Sequence, residues 1–277
     1  MHADDLGLCH GANAAFEELA GLGAATCGSV MVPAPWFLEV AAMQARDPSL
    51  DIGVHLTLNA EKRHYRWRPL TGASRAAGLT DGDGYFWRSV PELRRHAHAE
   101  AVEAELRAQI EAALAAGIDV THLDDHMGAA LCPEFVGIFV RLGREYRLPV
   151  VVVESLDRFD PRHNLDDTGD GSALKEAAEA ARAYGSPVFD AVIETPWRRG
   201  ESVAADYAAL LRRAPVGLSF LALHFNQPGE IAWIEPETAQ IRIDEYEFFR
   251  QPGTLEALRE QFCLCGMREL KENLNQG

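Results

Sequence analysis

Aspartates and histidines that could bind a metal ion occur at several separated positions of this sequence. Asp4 and Asp5 stand side by side in HADDLG, and His55 lies within GVHLTL. The stretch THLDDH at 121–126 supplies two histidines and two aspartates, and His224 follows LSFLAL. One carboxylate and two imidazoles can hold a divalent cation and leave a position open for water. Such a water ionises near neutral pH and becomes a nucleophile.

The adjacent aspartates predict a division of roles. Two neighbouring carboxylates repel each other, and a bound dication reverses that energy. One carboxylate would bind the metal, and the other would take a proton from the bound water. Because neighbours in a regular strand point to opposite faces, Asp4 and Asp5 must sit where the strand ends and turns. The glycine of DDLG permits such a turn.

Apolar strand-like segments alternate with helix-like segments along the chain. The predicted strands are 28–33, 51–58, 118–126, 149–155 and 216–225, with a weaker one near 188–194. The predicted helices are 35–45, 91–117, 134–146 and 254–262, with others near 11–22, 172–184 and 203–213. This alternation predicts a parallel sheet covered by helices. Six or seven such units favour a (β/α) barrel over an open sheet.

The candidate residues should meet at one edge of this sheet. Chemistry in a parallel α/β fold gathers at the carboxyl ends of the strands. Asp4 with Asp5, His55, the stretch 121–126 and His224 all fall at such ends, on four separate strands. The polar, aromatic and glycine-containing stretch 59–90 is predicted to be a long excursion above the barrel. No linker divides the chain, so residues 1–277 are predicted to form a single domain.

Each of these residues, taken alone, also has a purely structural interpretation. Asp4 and Asp5 could cap the helix near 11–22. His55 or His224 could be a core histidine bonded to the backbone. Of the two histidines in 121–126, one is expected to be structural, with Asp124 orienting a ligand histidine. The convergence of all of them on one sheet edge is what favours a metal site.

Composition limits the class of function. The 277 residues carry a formal net charge of −16 and a pI of about 5.0. An acidic surface repels phosphate backbones, so nucleic acid is not an expected partner. No apolar run could span a membrane and no signal peptide opens the chain, so we expect a cytoplasmic protein with no membrane partner. Five cysteines at irregular spacing predict no disulfide framework.

Four motifs together resemble the YdjC-like carbohydrate deacetylase family, which includes chitooligosaccharide and hopanoid-associated deacetylases. These motifs are HADDLGLCHGAN, GSVMVPAPW, DIGVHLTL and THLDDHMGAALCPE. The resemblance runs from residue 2 to about 150 and continues weakly to LALHFNQPGE. It implies a distorted, TIM-barrel-like (β/α) barrel with mostly parallel strands. It also implies a hydrolase of a linear amide bond, which removes an N-acetyl group from an amino sugar or oligosaccharide.

The resemblance further implies roles for individual residues. Asp5, His55 and His126 would hold the metal, with Asp4 as general base. His224 would be the general acid or would stabilise the tetrahedral intermediate. The family metal is zinc or magnesium, and two imidazole ligands favour zinc or another transition metal. Side chains expected to contact the substrate or to support the ligands are His122, Asp124, Arg66 and Arg68.

Two features depart from the family pattern and keep alternatives open. Gly128 stands where many members have a further histidine, and HFNQPG stands where many have H-P-G. The sugar specificity is therefore open, and a barrel that binds carbohydrate without turnover is one alternative. A non-haem iron oxygenase is another, because HLD at 122–124 is an H-x-D that a distant histidine could complete.

Two expectations concern the whole protein. Only three residues precede Asp4, whereas a strand takes about five or six. This predicts that the true start lies upstream of Met1. Dimerisation is common among soluble enzymes, so a homodimer is an open expectation for which the sequence locates no interface.

Overall fold

Seven parallel strands form one sheet in the structure, a computed structural model that describes residues 1–160, 165 and 171–276. The strands are β1 (His2–Leu6), β2 (Cys27–Val30), β3 (Ile52–Leu56), β4 (Val120–Asp125), β5 (Phe159–Asp160), β6 (Ala191–Glu194) and β7 (Ser219–Leu223). Their spatial order is β4-β3-β2-β1-β7-β6-β5, and every pair of neighbours is parallel. The predicted α/β fold of TIM-barrel-like type is confirmed, although the sheet is not closed.

The gap in the sheet falls where the sequence predicted a strand at 149–155. Val150 forms an isolated parallel bridge with Leu123 of β4, and Val153 forms another with Phe189, just before β6. Each bridge is supported by a backbone hydrogen bond of 2.9 Å. The prediction of a continuous strand was therefore wrong. The segment bonds to β4 at one point and to Phe189, ahead of β6, at another, so no regular ladder forms.

Eleven helices surround the sheet within the described part of the chain. They are α1 (His10–Leu22), α2 (Phe37–Arg46), α3 (Val90–His96), α4 (Ala99–Ala115), α5 (Val136–Tyr146), α6 (Ser172–Ala183), α7 (Val203–Leu211), α8 (Ile231–Ile234), α9 (Ala239–Phe249), α10 (Pro252–Gln261) and α11 (Met267–Gln276). None of these is both long enough and apolar enough to cross a membrane. The sequence prediction missed α8, α9 and α11. Helix α9 was hidden because its buried face includes the charged Arg242 and Glu245, which disrupts the apolar periodicity.

The helix predicted at 91–117 is two helices, with a break at Ala97. The backbone of Ala97 is extended, with ψ of 135°. The N–H of His98 donates to the carbonyl of Ala77, and the ring of His96 stacks on Trp87 at a centroid distance of 4.4 Å. The residues here are good helix formers, so these tertiary contacts override local propensity. They tie the start of α4 to the loop that precedes α3.

The β3–α3 loop, residues 57–89, carries the stretch that was predicted to pass over the barrel. Its only helical turn is Arg75–Ala77, and Thr80 forms an antiparallel bridge with Phe86. Glu105 of α4 anchors the loop, because its carboxylate accepts the backbone N–H groups of Leu70 and Thr71, both at 3.0 Å. The loop is thus fixed at its middle to a buried carboxylate.

The strands that carry the candidate residues lie in a dry environment. All residues of β1, β2 and β3 are buried, as expected for parallel strands packed on both faces. Apolar side chains of the strands and of the inward faces of the helices, such as Phe16, Leu106 and Phe139, form one continuous core. Charges at the strand ends therefore interact in a medium of low effective dielectric.

Candidate metal and active site

The backbone of β1 departs from regular pleating at the adjacent aspartates. Asp5 has a φ of 60°, which non-glycine residues seldom adopt, although aspartate tolerates it better than most. The register with β2 also shifts between Ala3 and Leu6. This irregularity lets Asp4 and Asp5 both line the same cavity. It agrees with the expectation that the pair lies where the pleat is broken.

Three ligand-type atoms converge beside this cavity. The Oδ1 atom of Asp5 lies 3.5 Å from Nε2 of His55 and 3.2 Å from Nδ1 of His126. The two imidazole nitrogens lie 3.4 Å apart. Ligands bound tetrahedrally at about 2.1 Å from a zinc ion are separated by about 3.4 Å. The triangle therefore fits a cation, and Oδ1 of Asp5 has no hydrogen-bond partner among the described residues.

Carboxylates behind the two imidazoles orient them. Nδ1 of His55 lies 2.9 Å from Oδ2 of Asp124, which directs Nε2 of the same ring toward the triangle. Nε2 of His126 lies 3.1 Å from Glu61, which leaves Nδ1 for the triangle. Carboxylate–histidine contacts of this kind fix the orientation of metal-ligating histidines. Asp124 therefore lies where an orienting residue was expected, whereas Glu61 was not anticipated.

Arg242 of α9 holds the other oxygen of Asp5. Its Nη1 donates to Asp5 Oδ2 at 2.8 Å, and its Nε and Nη2 donate to Glu235 at 3.0 and 2.9 Å. The guanidinium also lies over the ring of Trp197, 5.2 Å from its centroid. Burial alone would raise the pKa of Asp5, but Arg242 and the two neighbouring histidines hold that pKa well below its usual range. Asp5 is therefore kept ionised, with Oδ1 directed toward the two imidazoles.

Asp4 and His224 face each other across the cavity. Oδ2 of Asp4 lies 3.8 Å from Nε2 of His224. Burial raises the pKa of Asp4 well above its usual range. Burial lowers the pKa of His224 well below its usual range, and the nearby Arg242 adds to this effect. A raised pKa makes the carboxylate of Asp4 a stronger proton acceptor.

A second group of side chains fixes the His224 ring. Nδ1 of His224 lies 2.8 Å from Oγ1 of Thr195, and this hydroxyl lies 3.0 Å from Glu245. Glu245 also accepts the backbone N–H of His224 at 2.5 Å and the hydroxyl of Tyr207 at 2.7 Å. Because the threonine hydroxyl donates to Glu245, it accepts from Nδ1–H of His224. The Nε2 lone pair of a neutral His224 then faces the cavity.

The remaining candidates lie away from the cavity. Arg66 pairs with Asp81 at 2.7 Å, and Arg68 lies over the ring of Tyr85 at 4.5 Å, so neither lines the cavity. His122 is fully buried and does not line the cavity. The cavity itself has a volume of about 670 Å³, within the range of small-molecule sites.

Sequence reasoning missed several charged residues of the site. Glu61 and Lys62 lie at the start of the β3–α3 loop, and Lys62 contacts both Glu61 and Glu235. Both residues follow β3 closely in the sequence, and this closeness to the carboxyl end of a strand could have identified them as site residues. Arg242 offered none, because it lies 237 residues from Asp5 in the sequence.

The fold and this site define an α/β protein of TIM-barrel-like type, with a buried aspartate and two histidines grouped as metal ligands often are. The model of the YdjC-like protein family matches residues 1–260. The chain therefore belongs to the YdjC-like family, as the sequence motifs predicted.

Curated relatives match about half of the chain. A carbohydrate deacetylase of Thermus thermophilus is 45% identical over 157 residues, which are 57% of this chain and 54% of that protein. A carbohydrate deacetylase of Thermoanaerobacter pseudethanolicus is 31% identical over 150 residues, which are 54% of this chain and 58% of that protein. The chain thus spans about half the length of the curated relatives it matches.

A solved structure extends the similarity of fold to the whole chain. A protein of Enterococcus faecalis V583, described as a cellobiose-phosphate cleavage protein, matches with a TM-score of 0.77. The alignment covers 97% of both chains at 23% sequence identity. At this identity the match establishes the shared fold.

Proposed function

We propose that this protein is a metal-dependent hydrolase that removes an N-acetyl group from an amino sugar or oligosaccharide. The observation that carries the proposal is the triangle of Asp5, His55 and His126, with its unpartnered carboxylate oxygen. The relatives named carbohydrate deacetylases supply the substrate class. An acetylated sugar is small enough for the cavity of about 670 Å³.

Asp5, His55 and His126 would hold the metal ion. Such an ion, when bound, polarises an acetyl carbonyl and lowers the pKa of a bound water. A set of two imidazoles and one carboxylate suits zinc better than magnesium, which prefers oxygen ligands. We therefore propose zinc, with magnesium as the alternative to be tested.

The chain's own residues would move the protons. Asp4 accepts a proton from the attacking water at Oδ2, the oxygen that lies nearer to His224. His224 presents its Nε2 lone pair to the same space, takes this proton over from Asp4 and delivers it to the leaving amine, which restores both groups. Arg242 keeps Asp5 ionised and ready to bind a cation. We also propose a cytoplasmic location, where the five free cysteines would stay reduced.

Acetate release from N-acetylated mono- and oligosaccharides tests the proposal. The protein would be stripped of metal and reloaded separately with zinc, magnesium, manganese or cobalt. The matched control is Asp4→Asn, which should retain one metal per chain and lose activity. Metal-dependent acetate release that collapses in this variant is the expected result.

Other outcomes of the same experiment would point to the alternatives. One bound metal per chain with no release from any acetylated sugar would contradict the proposal and favour a carbohydrate-binding barrel without turnover. Iron-dependent oxygen consumption would instead indicate the oxygenase.

A further inference from the structure

A chain of buried hydrogen bonds leads away from the base candidate into the barrel. Oδ1 of Asp4 lies 2.5 Å from Nδ1 of His2, and Nε2 of His2 lies 2.9 Å from Nε2 of His122. Nδ1 of His122 lies 2.9 Å from Oγ1 of Thr121, which donates to Asp51 at 2.5 Å. All five residues are at most 8% exposed. The two imidazoles thus connect Asp4 to a second carboxylate deeper in the fold.

The direction of each hydrogen bond in this series follows from its end at Asp51. Asp51 accepts both the Thr121 hydroxyl and the backbone N–H of Arg268, the latter at 2.7 Å, so neither carboxylate oxygen acts as a donor here. Since the single hydroxyl hydrogen of Thr121 points to Asp51, Thr121 accepts from Nδ1–H of His122. Burial lowers the pKa of His122 to about 4, so its ring is neutral and carries only this hydrogen. Nε2 of His122 must then accept from Nε2–H of His2.

This direction determines the contact between His2 and Asp4. The Nε2 hydrogen of His2 is committed to His122, and burial lowers the pKa of His2 to about 4, so Nδ1 of this neutral ring is an acceptor. The further proton in the 2.5 Å contact then lies on Asp4 Oδ1, and it passes to Nδ1 when Oδ2 takes a proton from water. Oδ1 is therefore occupied. Oδ2 remains the free oxygen of Asp4, and it faces His224.

The neighbouring strand leaves room for the inner imidazole. A Cβ atom on Gly53 of β3 would lie only 2.5–2.6 Å from three ring atoms of His122. Real Cβ contacts are not this short, so the ring occupies space that any larger residue at position 53 would take. The position of His122 is thus built into the packing of β3 against β4.

We propose that His2, His122 and Thr121 are positioning residues for Asp4. Anchored on Asp51, they hold the carboxylate so that Oδ2 alone is presented to the cavity. The inference rests on the proposed role of Asp4 as general base, and it adds three residues that do not touch the substrate. Removing the chain frees the carboxylate to rotate. Because His2 also lies 3.8 Å from Asp124, the orienting partner of His55, the metal content of each variant is measured as well.

Kinetics of two variants at position 2 test the role of the chain in the deacetylase assay. His2→Leu removes the hydrogen bond to Asp4 at similar volume, and kcat should fall about 10- to 100-fold with KM and metal content unchanged. His2→Asn places an amide near the position of Nδ1 that can hold Oδ1 by a hydrogen bond but cannot take up its proton, so it should recover part of kcat. A merely structural role would lower the melting temperature of both variants and leave kcat alike in the two, and this result would overturn the proposal.

Ring-nitrogen NMR of ¹⁵N-histidine-labelled protein tests the chain without any substrate. His122, assigned by comparison with His122→Gln, should be the Nδ1–H tautomer in the wild type. Thr121→Val removes its acceptor, and the ring should change to the Nε2–H tautomer, whereas Thr121→Ser should leave it unchanged. An Nε2–H tautomer in the wild type, or the same tautomer in both Thr121 variants, would refute the chain.

The two proposals fail in different ways. A wild-type protein that releases no acetate with any metal contradicts the proposed function, and with it the catalytic purpose of the chain. An active wild type whose His2→Leu variant keeps its kcat contradicts the positioning role alone.

Discussion

Replacing Arg242 by methionine is expected to destabilise the metal-free protein by about 3–5 kcal/mol at pH 7. Arg242 is 4% exposed and donates one hydrogen bond to Asp5 and two to Glu235. Glu235 would keep Lys62 and the hydroxyl of Thr238 as partners. Asp5 would lose the donor to its Oδ2, so a buried carboxylate without compensation accounts for most of the cost.

The cost should depend on pH in a defined direction. The pKa of Asp5 is held well below its usual range despite burial, chiefly by Arg242. A carboxyl group with a depressed pKa stabilises the fold above its unfolded pKa of about 3.9, and this contribution is lost as pH falls through the folded value. The variant lacks this contribution. The difference between wild type and variant should therefore shrink as the pH is lowered toward 4 and below.

Urea denaturation in the presence of a chelator measures the effect on the fold alone. Arg242→Lys is the matched control, since it keeps a positive charge near Asp5 but cannot donate two parallel bonds to Glu235. Adding Asp5→Asn to the methionine variant should reduce the loss, with a coupling energy of about 1–3 kcal/mol. A loss below about 1 kcal/mol for Arg242→Met, or a loss that does not vary with pH, would refute the reasoning.

Three further predictions concern the fold around the site. Glu105→Ala leaves backbone N–H groups of the β3–α3 loop unpaired, so it should lower the free energy of unfolding by about 1–3 kcal/mol and speed hydrogen exchange in that loop. Glu105→Gln should lower the free energy of unfolding by less. Gly53→Ala should destabilise the protein by about 1–3 kcal/mol by overlap with His122, whereas Gly21→Ala, which meets nothing within 4 Å, should stabilise it by about 0.5–1 kcal/mol in thermal unfolding. Burial raises the pKa of Glu245 to about 7, so its contribution to stability is complete below pH 4.5 and is lost as pH rises toward 7. Glu245→Gln should remove this loss, worth up to about 3 kcal/mol between pH 5 and 8, and an unchanged pH dependence would contradict the assignment.

The fold class could be predicted because burial on both faces makes the strands of a parallel sheet continuously apolar. β3 and β7 lie within the segments predicted for them. The break between α3 and α4 could not be predicted, because it depends on His98 bonding to Ala77 across the β3–α3 loop. Local propensity favours an unbroken helix there, and only tertiary contacts oppose it.

The site could be predicted only where strand ends determine it. Asp5 lies on β1 and His55 on β3, with only β2 between them in the sheet. The alternation of strands and helices alone therefore brings both residues to one edge. Arg66 and Arg68 were expected near the substrate, but the loop that carries them folds back on itself at Tyr85. Arg242 lies on a helix whose packing no local pattern reveals.

The balance of hydrogen bonds around the three ligands gives a physical reason to expect a cation. In the described residues, Asp5 Oδ1 and Asp124 Oδ1 are the two buried aspartate oxygens without a hydrogen-bond partner. Glu61 and Glu235 are satisfied by Lys62, Arg242 and other donors. A buried carboxylate oxygen without a partner costs free energy, and Arg242 satisfies only the far side of Asp5. The site is thus incomplete at Asp5 Oδ1, where two imidazole nitrogens also converge, so a bound cation would stabilise the folded state as well as supply the chemistry.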